Sequence, residues 1–325
     1  MARPAHILFT STFSTPFIRE DLTTLRAHHR VTAVTGGGIV SLLTMLVNVP
    51  RVDLTFSWFL SVYSSLVILF ASLFGKRTIV VLGGVDTANM PEYGYGLWTS
   101  AWRSTLASAA VRRASLVLAV DETLKSEIIQ RASYDGKNIT VLPTGYDAER
   151  WNPDGPKMPV VLTIAHTDTR ARGAIKGLDL LPEIAAGLPD VQFRLIGISP
   201  AVAATYRFPG NITVIGPVTQ EELLREYRSA SVYLQTSRRE GFPNVLCEAM
   251  LCGCTPVASD AGASRTIVGD TGVIVSITDI DAVRSAVTGA LHNDTNLAAR
   301  DRVKTMFPLS LRREGVLRAV EGGNR

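Results

Sequence analysis

The order of segments in this 325-residue sequence predicts an α/β protein of two Rossmann-like halves facing a central cleft. Three observations predict it. Short β-branched and apolar runs alternate with stretches of helical period, a Pro/Gly-rich break falls at 153–159, and a 46% hydrophobic content at this length can fill two cores.

Taken in order, the first half offers strands near 6–9, 31–34, 52–56, 78–82 and 116–120, each followed by a helical stretch. After the break a second series runs near 160–164, 192–196, 212–215, 231–235, 255–258 and 272–275. Strands that alternate with helices in this way form parallel sheets and bind ligands beyond their carboxyl ends. The expected domains are 1–152 and 153–325. The last helical region, 297–320, is interrupted at Phe307-Pro308.

The net charge is +4, with 14 basic and 11 acidic side chains in the first 150 residues and 19 and 18 in the rest. That excess is too mild for a nucleic-acid partner and is compatible with weak attraction to an anionic membrane surface. Residues 54–75 carry no charge and by length alone could span a bilayer. Their first residues read as a strand, however, Ser57, Ser61, Ser64, Ser65 and Ser72 interrupt the apolar surface, and the sheet resumes at 78. The helix left over is too short to cross and is expected to be buried or to touch the membrane. Only Arg3 precedes the first apolar strand, and no signal-peptide core follows. The expected location is cytoplasmic, with peripheral contact at the inner membrane face.

Cys247, Cys252 and Cys254 lie within eight residues. They lack a fourth partner and a paired C-x-x-C spacing, so they read as small buried thiols rather than metal ligands. His6, His28, His29, His166 and His292 form no ligand set. Neither a metal nor a cofactor is expected.

The most informative stretch is 237–259, SRREGFPNVLCEAMLCGCTPVAS. The strand before it ends at Thr236-Ser237, so Glu240 falls in the loop beyond the strand's carboxyl end. Gly241 and Pro243 are turn residues, and Asn244 reads as the N-cap of a helix that continues to Leu251 and stops at Gly253. The free N–H groups and dipole of its first turn favour an anion. Glu248 follows Asn244 by four residues and shares its helix face, where a carboxylate can accept the two hydroxyls of a ribose diol. Two isolated glutamates would ordinarily be a loop acid and a solvated helix acid.

The run E-G-F-P-N-V-L-C-E-A-M-L-C-G-C-T-P-V-A-S resembles the signature of family 4 glycosyltransferases (glycosyl transferases group 1), retaining enzymes of the GT-B fold. The strand–loop–helix–strand order of 211–235, the K-G-x-D element Lys176-Gly177-Leu178-Asp179 and the interdomain-like segment 144–153 (TGYDAERWNP) resemble the same family. The C-terminal half fits throughout; the N-terminal half fits more loosely, through 81–86 (VLGGVD).

The resemblance implies metal-independent transfer of a hexose from a nucleoside diphosphate sugar to a hydroxyl on a glycan or glycolipid, in cell-surface polysaccharide or glycoconjugate synthesis. It implies that the first domain binds acceptor, the second binds donor, and the last helix crosses back to the first. Glu248 would hold the ribose, Glu240 the sugar hydroxyls, and backbone groups of Gly241, Phe242, Pro243 and Asn244 would approach sugar and phosphate. Lys176 would sit on the diphosphate, joined by Arg170 or Arg172 from the longer segment 167–175 (TDTRARGAI). Asp86, after Gly83-Gly84 at a strand end, either positions the acceptor hydroxyl or caps its own turn. Two loops depart from the family pattern, 10–15 (TSTFST) and 260–267 (DAGASRTI), the latter with Ala263 and Thr266 where a glycine and a glutamate are usual. Other readings are a GT-B protein that binds nucleotide sugar or glycan without transfer, and an epimerase or phosphorylase on the same fold.

Overall fold

The computed structural model describes residues 3–292 and 295–322. In chain order the first series is β1 (His6–Ser11), α1 (Pro16–His28), β2 (Arg30–Thr35), α2 (Ile39–Asn48), β3 (Leu54–Trp58), α3 (Val62–Leu73), β4 (Arg77–Leu82), α4 (Ala101–Arg113), β5 (Leu116–Ala119), α5 (Glu122–Ala132) and β6 (Ile139–Val141). The second is β7 (Met158–Thr167), α6 (Arg170–Ile175), α7 (Leu181–Ala186), β8 (Gln192–Ile198), α8 (Pro200–Ala203), β9 (Ile212–Ile215), α9 (Gln220–Ser229), β10 (Ala230–Gln235), α10 (Asn244–Leu251), β11 (Thr255–Ser259), α11 (Ser264–Val268), β12 (Val273–Val275), α12 (Ile280–Leu291), α13 (Leu297–Met306) and α14 (Leu309–Glu321).

Two compact α/β units result, each with a six-stranded parallel sheet, as the alternation of segments predicts. The first sheet has the order β2-β1-β3-β4-β5-β6 and the second β12-β11-β10-β7-β8-β9. In the second, the chain builds outward from β7 to β9 and then returns to the other side of β7 with β10. Loops leaving β7 and β10 therefore diverge from a topological switch point, where parallel sheets leave room for a ligand.

The chain passes from one unit to the other at Gly145/Tyr146, a little before the Pro/Gly-rich break, and again at Pro308/Leu309. Helix α14 thus belongs to the first unit, where it packs on α1. Its anchor is buried. Arg312 Nε donates to Asp21 Oδ1 at 3.0 Å, Arg312 Nη1 to the Leu142 carbonyl at 2.8 Å, and Trp58 Nε1 to Asp21 Oδ2 at 2.9 Å. The guanidinium of Arg77 closes the other end of α14 by donating to the carbonyls of Ala319 and Val320, both at 2.6 Å.

The uncharged segment 54–75 resolves into β3, buried along its whole length, and the 12-residue α3, opened by a Ser61/Ser64 capping box. Among the described residues no helix is long and apolar enough to cross a membrane. Exposed apolar side chains of the first unit lie instead on α2, at Ile39, Val40, Leu43 and Val47.

Candidate functional site

The site is assembled where β7 and β10 end. Beyond β10, the hydroxyl of Thr236 donates to the carbonyls of Lys176 and Gly177 at 3.2 and 3.1 Å, tying this strand end to the end of α6. Gly177 permits that approach. Its φ of +71° is left-handed, and a Cβ there would stand 2.0 Å from the Thr236 carbonyl oxygen. Two residues on, Asp179 accepts both guanidinium nitrogens of Arg238 at 2.7 Å, and the Arg238 backbone N–H donates to the Ile175 carbonyl at 2.7 Å. The K-G-x-D element is thus a clamp, with a glycine for contact and an aspartate for a fork.

Held in this way, Lys176 Nζ reaches Glu240 Oε1 at 2.7 Å, and Ser237 Oγ donates to the same oxygen at 2.7 Å. The pair is partly shielded from solvent, with Glu240 the more buried partner. From the other side the loop after β11 supports it. The Ala263 N–H donates to the Gly241 carbonyl at 3.0 Å, and Gly262, at φ +55°, lies so close that a Cβ would stand 2.4 Å from the Glu240 carbonyl oxygen. Ala263 itself is buried.

Gly241, Phe242 and Pro243 are buried and lead into α10. Phe242 packs edge-on against Phe307, with centroids 5.1 Å apart, and stacks beside Tyr146 at 6.4 Å, so its ring is core and only its backbone is left for a ligand. Asn244 is not the N-cap. It is the first helical residue, after Pro243, and its Oδ1 accepts from the Tyr146 hydroxyl at 2.6 Å, which takes that oxygen away from the capping N–H groups. The N–H groups of Leu246 and Cys247 turn in on the Pro243 carbonyl, leaving those of Asn244 and Val245 without an intrahelical partner.

Glu248 lies one turn along, half-buried, its Oε2 accepting from the Tyr227 hydroxyl at 3.1 Å. Desolvation pushes its carboxyl from an ordinary 4.5 up to about 7; the Tyr227 hydrogen bond and the positive charge of Arg150 oppose the rise without cancelling it. Burial likewise pushes up the Tyr227 hydroxyl and all three thiols, Cys252 to about 12, with Cys254 close under Lys157. The thiols are free and buried, and among the described residues no three His, Cys, Asp or Glu side chains form a cluster that could hold a metal.

Three further candidate residues make contacts of their own. Arg170 stacks over the Tyr206 ring at 5.5 Å and donates to the Thr205 carbonyl at 3.2 Å, while Arg172 faces Asp168 at 3.9 Å in an exposed i, i+4 pair. Both side chains are exposed. Asp86 is fully buried, its carboxylate accepting the N–H groups of Gly83, Gly84 and Leu60, with 2.7 Å to Gly84. It caps its own turn, and burial raises its pKa despite those bonds. Ser237, Tyr146 and Tyr227 were not foreseen. Ser237 could have been found at the strand end; the tyrosines reach the site only through packing.

Residues 159–293 match the family model described as glycosyl transferases group 1. Among curated proteins, the chain is 29% identical over 172 residues to phosphatidyl-myo-inositol mannosyltransferase of Mycolicibacterium smegmatis, covering 49% of this chain and 44% of that protein. It is 22% identical over 210 residues to the phosphatidylinositol N-acetylglucosaminyltransferase GPI3 subunit of Saccharomyces cerevisiae, covering 60% and 45%. The match thus spans less than half the length of either relative. Among solved structures, Anabaena HepE in complex with UDP-glucose superposes with a TM-score of 0.77 at 16% identity, covering 98% of this chain and 100% of that one. That likeness is one of fold, and the fold is the GT-B class.

Proposed function

We propose that this chain, whose residues 159–293 share the family of group 1 glycosyl transferases, moves a hexose from a nucleoside diphosphate sugar to a hydroxyl on a glycan or glycolipid. Transfer proceeds with retention at the sugar carbon and without a divalent metal. The carrying observation is the Lys176–Glu240 pair, set at the switch point of the second sheet beside the start of α10.

The difficult step is departure of the nucleoside diphosphate, which needs positive charge fixed where negative charge develops. Lys176 supplies it, with the N–H groups at the start of α10. Glu240 Oε1 is already engaged by Lys176 and Ser237, so Oε2 accepts the sugar hydroxyls, and Glu248 accepts the ribose diol. The C1–O bond to the diphosphate breaks with its electron pair going to the phosphate oxygen. The acceptor oxygen bonds to C1 on the same face, and its proton passes to that phosphate oxygen.

The names of the curated relatives favour a lipid-linked acceptor and the HepE complex a nucleotide-sugar donor. The second unit is assigned the donor and the first the acceptor, with action at the inner membrane face in glycoconjugate synthesis. The test is thermal stabilisation by UDP, GDP, ADP, TDP and their sugars without divalent metal, followed by transfer assays with the sugars that bind. Stabilisation by one nucleotide, lost in Glu248→Ala, is expected. A folded protein that no nucleotide stabilises would overturn the reading.

A further inference from the structure

We propose that Tyr227 is a positioning residue: its hydroxyl holds the Glu248 carboxylate in the orientation that selects a nucleotide carrying a ribose diol over its deoxyribose counterpart. Tyr227 is the buried residue of α9, a helix whose other side chains all reach solvent at least in part. A capping box of Thr219 and Glu222 fixes the start of that helix, and the tyrosine follows in its last turn. Its ring meets Trp151 edge-on at 5.7 Å and Tyr233 at 6.3 Å, and its own carbonyl accepts from Lys157 Nζ at 2.8 Å and Cys254 Sγ at 3.1 Å. Ring and backbone are thus both fixed. The phenol keeps one freedom, rotation of its O–H, and that rotation aims it at Glu248 Oε2, 3.1 Å away.

A phenol suits that task better than a cation. Burial keeps Tyr227 protonated, so it donates one hydrogen bond and cancels none of the carboxylate's charge. The bond occupies one acceptor site of Oε2 and leaves the others to ligand hydroxyls. Arg150, whose charge is felt at Glu248, is engaged elsewhere: its Nη2 donates to Gln220 Oε1 at 2.5 Å, and its guanidinium lies over the Trp151 ring at 5.2 Å. The last torsion of a glutamate is broad, so a carboxylate without an anchor follows one hydroxyl as readily as two. Anchored by Tyr227, it presents a set pair of acceptor directions, which two adjacent hydroxyls use in full and a single one does not.

The inference rests on the reading of Glu248 as the residue that holds the ribose. Its test is titration calorimetry of the full chain with UDP, GDP and ADP and with the 2′-deoxy form of each, in wild type, Tyr227→Phe and Glu248→Gln. Wild type is expected to prefer the ribonucleotide it binds by at least about tenfold. Tyr227→Phe keeps the ring and its packing. It should nevertheless lower ribonucleotide affinity on the order of tenfold and lose most of the preference, because the missing hydrogen bond ends on the group that reads the diol. The pH at which affinity levels off should also move upward, since the Tyr227 bond is one of the influences that hold the Glu248 pKa down. A role in packing alone moves neither the preference nor that pH. Full preference in Tyr227→Phe, with loss of it in Glu248→Gln, would overturn this inference and leave the ribose reading standing. A preference that survives both substitutions, or a wild type that shows none or binds none of these nucleotides, would overturn both.

Discussion

Glu248 is under two opposed demands. Desolvation lifts its carboxyl to about 7, while a ribose diol donates best to the ionised form. On the proposed reading, ribose binding would therefore expel a proton near neutrality. Affinity for the nucleoside diphosphate should rise by up to about tenfold per pH unit below 7 and level off above about pH 8. Calorimetry in buffers of different ionisation heat would detect the released proton, and Glu248→Gln should flatten the profile; equal affinity on both sides of neutrality would reject this account. In the free protein the sign is reversed. A raised acid favours the fold while protonated, and that contribution, on the order of 3 kcal/mol, is lost as pH climbs from 4.5 through about 7. Glu248→Gln should accordingly melt higher than wild type at mildly alkaline pH. At this scale the strand-end loop of Glu240 and the helix of Glu248 were legible because their spacing is local, whereas Lys176, 64 residues before Glu240, drew notice only through its K-G-x-D element. Tyr227, 21 residues from Glu248, was not, since no spacing rule links a helix to the one that packs beside it.

Among the elements, strands were easiest to read, because β-branched runs bounded by turns carry their own signal. Strand β6 escaped, being three residues at a sheet edge, with only Ile139 buried. Asn244 misled for a different reason. Its type is right for a cap, but Tyr146, 98 residues away, claims its oxygen. Arg170 and Arg172 belong to the short α6, whose N-cap Thr169 accepts from the Arg172 N–H at 3.3 Å, and their contacts with Tyr206 and Asp168 carried no sequence signal. The clamp between α6 and β10 yields a sharp expectation. In Gly177→Ala the new methyl meets the Thr236 carbonyl in a left-handed conformation, costing at least about 2 kcal/mol. Denaturant unfolding should register that loss, and nucleotide-sugar turnover should fall to the level of Lys176→Ala, because both changes take the ammonium from its place. Wild-type turnover in the glycine variant would mean that Lys176 does not depend on the clamp.

For the molecule as a whole, the two-unit α/β fold was legible from the alternation of segments, whereas the point of crossing was not. Composition marks the Pro/Gly break, but contacts decide where a unit ends, and Tyr146 already packs with Phe242. The return of α14 depends on Arg312, buried against Asp21 and the face of Trp58. Substituting Arg312→Met leaves a buried carboxylate with Trp58 alone among these side chains and should cost about 3–5 kcal/mol. Limited proteolysis would then release α14 while nucleotide still stabilises the second unit; an unchanged digestion pattern would show that the helix is held by other contacts. Asp21 and Arg312 stand 291 residues apart in the chain. At about 5–20 residues per second, roughly 15 to 60 seconds of synthesis separate them. The domain begun first on the ribosome is therefore finished last, and its nascent form carries an unmatched acid beside Trp58 while the entire second domain is made.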